Sequence, residues 1–146
     1  EDNLYAVAET LELAPGMADQ MVSELLEEFG IAGLRRHLAY TLSGGERRRL
    51  EIARSMMINP SFILLDEPLA GIDPLAVQEI QRIVKDLKSR NIGVLITDHN
   101  VRETLKITDR AYIINDGRIF RMGTPEELSL DEQVRKVYLG ENFQLY

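Results

Sequence analysis

No cysteine occurs in the 146 residues, which excludes disulfide bridges and thiolate metal sites and is compatible with a reducing compartment. Positive charge is scarce too: 17 Lys and Arg stand against 24 Asp and Glu, giving a formal net charge of -7. A surface built to neutralise a nucleic-acid backbone is normally basic, so nucleic acid is not expected as a partner. Long apolar runs are also missing. The longest, such as Phe62 to Leu65, fall far short of the ~20 residues that cross a bilayer, and the acidic stretch Glu1-Asp2-Asn3 does not look like a secretion signal. Internal repeats, low-complexity tracts and long linkers are absent as well. What is there is 45% hydrophobic content over a length that supports one compact unit with a real core, expected to be soluble and able to sit on a membrane protein.

Hydrophobic periodicity lays out the elements. Met17, Met21, Val22, Leu25, Leu26 and Phe29 recur at helical spacing and end at Gly30, a residue suited to a left-handed cap. Ser43-Gly44-Gly45-Glu46 opens a helix expected to reach about Ile58, where Asn59-Pro60 stops it, so residues 1–58 read as helical. Phe62-Ile63-Leu64-Leu65-Asp66, bounded by Pro60 and Pro68, has the length and content of a strand buried on both faces of a parallel sheet. Asp73-Pro74 is a cap followed by proline at the first helical position, and Leu75, Ile80, Ile83, Val84 and Leu87 mark the apolar face that follows. Ile92 to Thr97 supplies a second strand and completes a βαβ unit. After a short helix around Val101 to Lys106, Tyr112-Ile113-Ile114 and Ile119-Phe120 flank an Asp116-Gly117 hairpin turn. Thr124-Pro125-Glu126-Glu127 is a capping box, and a last helix is expected from Asp131 to Leu139, ending at Gly140.

Three segments carry chemistry. Asp66-Glu67 lies at the carboxyl end of the first strand, where parallel α/β sheets place their ligand crevices. One carboxylate there can hold Mg²⁺ while its neighbour orients or deprotonates an attacking water; two solvated surface acids are the simpler reading of Asp-Glu alone. His99 follows the neighbouring strand, so its imidazole can reach the same crevice and hydrogen-bond a terminal phosphate, whereas Asp98 and Asn100 read as helix caps. Leu42-Ser43-Gly44-Gly45-Glu46 has the wording of a capping box, which does not explain the glycines. Glycine costs roughly 1 kcal/mol against alanine in a helix interior, and less in the first turn. It also lets a ligand approach the free amides of a helix N-terminus, a ready anion site. Arg47, Arg48 and Arg49 oppose the helix dipole there. Arg47 has Glu51 four residues on, but Arg48 meets Ile52 and Arg49 meets Ala53 at that spacing. Contact with a nucleotide or partner and plain surface pairing both fit the three arginines.

In this order the segments resemble the nucleotide-binding domain of ABC transporters, and the resemblance covers essentially the whole chain. Leu42 to Glu46 is similar to the signature, Phe62 to Asp66 to the Walker B strand, Glu67 to the catalytic glutamate, Ala70-Gly71-Ile72-Asp73 to the D-loop and His99 to the switch histidine. Within the family, Ser43 to Arg54, Ile96 to Leu105 and Tyr138-Leu139-Gly140-Glu141-Asn142-Phe143 resemble ATPase subunits of bacterial lipopolysaccharide export systems. ATPases of branched-chain amino-acid importers share the Tyr-Leu-Gly wording but usually differ in the other two. DNA-repair and chromosome-maintenance ATPases carry the same motif order but usually follow a long coiled coil, and the acidic charge does not suit them.

The resemblance implies an α/β fold: an incomplete P-loop NTPase core of the RecA-like ABC type with parallel strands. Residues 1–58 would form a helical subdomain ending in the signature helix, and residues 59–146 the C-terminal part of the core with its β-hairpin and helices. ATP and Mg²⁺ are the implied ligands. Ser43, Gly44 and Gly45 would bind the γ-phosphate in trans with Glu46 in the same segment, Asp66 would hold Mg²⁺, Glu67 would polarise water, His99 would contact the γ-phosphate and Asp73 would line the interface. The implied partners are a second ATPase subunit in a head-to-tail dimer and transmembrane transporter subunits, on the cytoplasmic face of the inner membrane. One family feature is missing, since no G-x-x-x-x-G-K-[ST] phosphate loop occurs in these residues, nor the adenine-stacking aromatic or the glutamine loop. That loop supplies most of the grip on the nucleotide. These residues alone are therefore expected to be inactive and, with a strand edge left open, to self-associate. A non-catalytic docking module is the rival expectation, and the presence of both Glu67 and His99 speaks against it.

Overall fold

The computed structural model describes residues 1–140; Glu141, Asn142 and Phe143 of the family-like ending lie outside the described residues. Helices α1 (Asp2–Ala8), α2 (Met17–Glu28) and α3 (Gly44–Met56) come first, with short 3-10 turns at Ala32–Leu34 and Ala39–Thr41. Helix α2 stops where the Gly30 amide turns back to the Glu27 carbonyl at 3.0 Å and the Ile31 amide to Leu26 at 2.8 Å. This closure needs the left-handed φ of 63° that Gly30 adopts. Helix α3 ends at Met56 rather than at about Ile58, and Asn59 takes a left-handed φ of 47° before Pro60.

The expected βαβ unit is present. Strands β1 (Phe62–Asp66) and β2 (Gly93–Thr97) pair in parallel from Phe62↔Gly93 to Asp66↔Thr97, and α4 (Pro74–Ser89) forms the crossover. Its buried face is Ala76, Val77, Ile80, Val84 and Leu87. Leu75 is not part of it and is 73% exposed. Lying five residues before Ile80, it sits about 140° round the helix from the core.

Strand β1 is not buried on both faces as its composition suggests. Ile63 is 4% exposed, but Phe62 and Leu64 are 54% and 72% exposed, as is Leu95, opposite Leu64, at 49%. The period-2 alternation sends Ile63, Leu65, Val94 and Ile96 into the core and their neighbours to the other side, which no element covers among the described residues. One main core holds buried residues from α1 to α4 and β1, so the helices of residues 1–58 and the βαβ unit share it.

A smaller core follows. Helix α5 (Val101–Leu105) leads to the antiparallel hairpin of β3 (Ala111–Asn115) and β4 (Arg118–Gly123). Asp116 and Gly117 have φ of 48° and 71°, the left-handed pair that a tight hairpin turn requires. Helices α6 (Pro125–Leu130) and α7 (Glu132–Val134) cover it, with Leu105, Ile113, Leu128, Val134 and Leu139 inside. The last helix departs from expectation: Asp131 is its cap, and Arg135–Leu139 is a π-helical turn closed by the Gly140 amide on the Arg135 carbonyl at 2.6 Å. This wider turn accompanies burial of both Val134 and Leu139, five residues apart. The architecture is α/β with a parallel pair and a separate hairpin. Among the described residues no helix is long and apolar enough to cross a membrane.

Candidate functional site

Parallel pairing in full register brings the ends of β1 and β2 together, and with them Asp66, Glu67 and His99. The Thr97 hydroxyl donates to Asp66 Oδ1, which fixes the carboxylate and leaves its second oxygen without a protein partner among the described residues. The Glu67 amide donates to the Thr97 carbonyl at 2.7 Å, extending the ladder by one step. Glu67 then takes a φ of 46°, a left-handed conformation rarely adopted by residues other than glycine. Its Oε1 lies 3.5 Å from His99 Nδ1, and both side chains are more than half exposed. The acid and the imidazole thus meet at an open strand end, as expected from the sequence.

Asn100 is the expected cap, its side chain accepting from the Glu103 amide at 3.4 Å. Asp98 is not a helix cap. Its Oδ1 accepts from the Asn100 amide at 2.8 Å, outside the helix, and its Oδ2 accepts from the Leu69 amide at 3.0 Å. The residue is partly exposed through its backbone, but its carboxylate side chain is fully buried, at 0%.

The capping box at Ser43 forms in full: the Ser43 amide donates to Glu46 Oε2 at 2.8 Å and the Glu46 amide to Ser43 Oγ at 3.3 Å. The Ser43 amide and then its hydroxyl hold the Glu46 carboxyl below its ordinary range. Packing supplies a further reason for the glycines. A Cβ on Gly45 would sit 2.7 Å from Ala76 Cβ, and one on Gly44 3.0 Å from Ile72 Cγ2, so α3 abuts both the Gly71-Ile72 loop and α4. Gly45 is buried in this contact, whereas Gly44 stays exposed, with a first-turn amide that has no intrahelical acceptor. Asp73 caps α4 by accepting from the Leu75 and Ala76 amides, each at 3.0 Å.

The arginines separate. Arg48, not Arg47, takes Glu51, at 2.7 Å, and its second nitrogen donates to the Glu67 carbonyl at 3.1 Å. Arg49 pairs with Glu79 of α4 and keeps a buried Nε without an acceptor among the described residues. Arg47 is exposed. Gly44 thus touches the Asp73 loop, and Arg48 ties α3 to Glu67, which faces His99. No hydrogen bond or ion pair joins Ser43 to Asp66, Glu67 or His99 among the described residues. Two clefts, of about 460 and 340 Å³, lie around Lys88 and Asp109 and are lined by none of these groups.

The sequence profile of the ABC transporter family matches residues 1–70. A lipopolysaccharide export system ATP-binding protein of Acidithiobacillus ferridurans is 56% identical over 99% of this chain and 60% of its own length. Over nearly its whole length the chain is similar to ATP-binding proteins of ABC transporters. A protein of the same description from Escherichia coli is 52% identical over 99% of this chain and 60% of its own length. A solved ATP-binding cassette of an ABC transporter, in its ADP conformation, superposes with a TM-score of 0.77 at 29% identity, covering 95% of this chain and 61% of that one. The chain thus spans about 60% of the length of the curated relatives it matches.

The donor set at the end of β1 fits a magnesium ion. Among the described residues no group of three or more His, Cys, Asp or Glu forms a metal cage. Mg²⁺ is normally held by one or two carboxylates and completes its shell with phosphates and water, and Asp66 has an oxygen left for that role. Sequence reading named Arg48 only among three arginines and found neither its tie to Glu67 nor those made by Thr97 and Asp98. Their partners lie 19, 31 and 29 residues away, beyond any local pattern.

Proposed function

We propose that the chain is the signature-bearing part of the ATPase subunit of an ABC transporter that exports lipopolysaccharide, working on the cytoplasmic face of the inner membrane. The names of its relatives support the transport reading, and one geometric observation carries the chemistry. Glu67 and His99 face each other at 3.5 Å where two parallel strands end beside Asp66. In this reading Asp66, oriented by Thr97, holds Mg²⁺, which when bound neutralises phosphate charge. The Glu67 carboxylate orients a water and takes its proton, and the His99 imidazole hydrogen-bonds the terminal phosphate. The Ser43 hydroxyl and the Gly44 and Gly45 amides meet the phosphate held by a second subunit, with Glu46 fixing the loop and Asp73 at the head-to-tail interface. The strand end that carries Glu67 and His99 is open, which suits a site completed by a second subunit. Dimer closure on ATP and reopening after hydrolysis would drive the transmembrane subunits.

The phosphate loop is not among these residues, so we assign them the trans-acting signature together with the Asp66, Glu67 and His99 group, and no turnover alone. The test is Mg²⁺-dependent hydrolysis by the full-length protein and by the 146-residue polypeptide. Glu67→Gln in the full-length protein is expected to lower kcat by about 100-fold or more and to accumulate an ATP-bound dimer on gel filtration. Normal hydrolysis by that variant would remove Glu67 from its role. Turnover by the polypeptide that vanishes with Glu67→Gln would overturn its assignment as inactive alone. ATP-driven removal of lipopolysaccharide from vesicles holding the transmembrane subunits tests the cargo, and no removal would count against it.

A further inference from the structure

Asp98 is a buried carboxylate that the proposed chemistry leaves unused. Its oxygens accept from the Leu69 amide at 3.0 Å and the Asn100 amide at 2.8 Å, and among the described residues no lysine or arginine is paired with it. Burying a carboxylate is costly unless its acceptor capacity is met, and a helix cap would not require burial. The two amides belong to different loops. Leu69 follows Glu67 by two residues, and Asn100 directly follows His99. One side chain therefore spans the backbones that present both groups, while its Oδ1 stays 4.0 Å from His99 Nδ1, too far for a hydrogen bond to the ring.

We propose that Asp98 is a positioning residue that locks the Glu67 turn to the His99 loop and so sets the spacing of acid and imidazole. The idea rests on the ATPase reading for its kinetic consequence but not for its geometry. Neighbouring contacts fix parts of the same turn: the Glu67 amide is held by the Thr97 carbonyl at 2.7 Å and the Glu67 carbonyl by Arg48 at 3.1 Å. Both act on Glu67 itself, and the Pro68-Leu69 segment beyond it is tied to the His99 loop by Asp98.

A carboxylate offers an acceptor to each amide, whereas an asparagine offers one acceptor and turns an NH₂ group on the other amide. Asp98→Asn is thus nearly isosteric and breaks one tie. In the full-length protein we expect kcat to fall about 10- to 100-fold with KM for ATP within about threefold, as a misplaced reacting group does. His99→Ala serves only to assign resonances, the chain having two histidines, His37 and His99. Without nucleotide, the His99 ring resonances should shift or broaden in Asp98→Asn while those of His37 stay in place, and the Leu69 or Asn100 amide should exchange faster. Unchanged His99 resonances and amide exchange would overturn the proposal whatever the kinetics. So would a general loss of protection and thermal stability that lowers kcat in proportion, because Asp98 would then be a fold residue only. If the parent protein lacks ATPase activity, the ATPase reading fails, and the resonance and exchange results alone decide the positioning role.

Discussion

Two capping boxes of nearly identical geometry sit in this chain and serve different ends. At the second, the Thr124 amide donates to Glu127 Oε2 at 2.9 Å and the Glu127 amide to Thr124 Oγ1 at 3.2 Å, matching the 2.8 and 3.3 Å at Ser43 and Glu46. Between its ends lie Pro125 and Glu126, a proline pre-set for the first turn and an acid that the helix dipole favours. Between Ser43 and Glu46 lie two glycines, with three arginines close behind. Local physics would choose the first filling for stability. The second gives up helix propensity in return for an approachable N-terminus, close contact with the Asp73 loop and a cation, Arg48, on the Glu67 carbonyl. A capping box alone therefore says only that a helix starts; under the proposed function, its filling marks the start that also serves as a site.

The comparison can be broken at its strongest point. Ser43→Ala and Thr124→Ala should each lower stability by about 1 kcal/mol in denaturant unfolding, since each loses one cap. In the full-length protein Ser43→Ala should also cut ATPase turnover about 100-fold, as losing a phosphate donor does, while Thr124→Ala leaves it within about twofold. Equal kinetic effects from the two would sink the distinction between them.

A smaller effect tests the packing role of the glycines. Gly45→Ala forces a methyl to 2.7 Å from Ala76 Cβ and should destabilise the fold by roughly 1–3 kcal/mol. The double variant Gly45→Ala with Ala76→Gly should recover part of that loss in thermal unfolding; no recovery would place the strain elsewhere.

The smallest effect is a pH dependence. Glu46 is held low by the Ser43 amide and hydroxyl, so the folded state binds its proton less readily than the unfolded chain does. Its contribution to stability is complete above the unfolded carboxyl value and is lost as pH falls through the lower folded one. Glu46→Gln should flatten the stability profile in that acid range, and an unchanged profile would show that the box contributes nothing through this charge.

Much of the fold and the candidate site is legible from the residues alone. Caps, turns and helix ends are made by groups within about five residues of one another, so Ser43 with Glu46, Gly30, Asp73-Pro74 and Asp116-Gly117 announce themselves. Asp66, Glu67 and His99 could be placed because strand length and the βαβ order fix which chain ends meet. Leu75 was misplaced because a helical face closes only over several turns, and the first turn gives little to judge by. The π-helical turn before Gly140 answers to the second core, which no local spacing reveals.

The sequence by itself determined the order of the elements, their caps and the identity of the groups that gather at the strand ends, because each depends on neighbours along the chain. Only the tertiary structure decided that the outer face of Phe62, Leu64 and Leu95 stays uncovered among the described residues, that Arg49 goes to Glu79 while Arg48 goes to Glu67, and that Asp98 is a tie between loops and not a helix cap. Those outcomes join residues tens of positions apart, and packing chooses among many partners that are alike in the sequence.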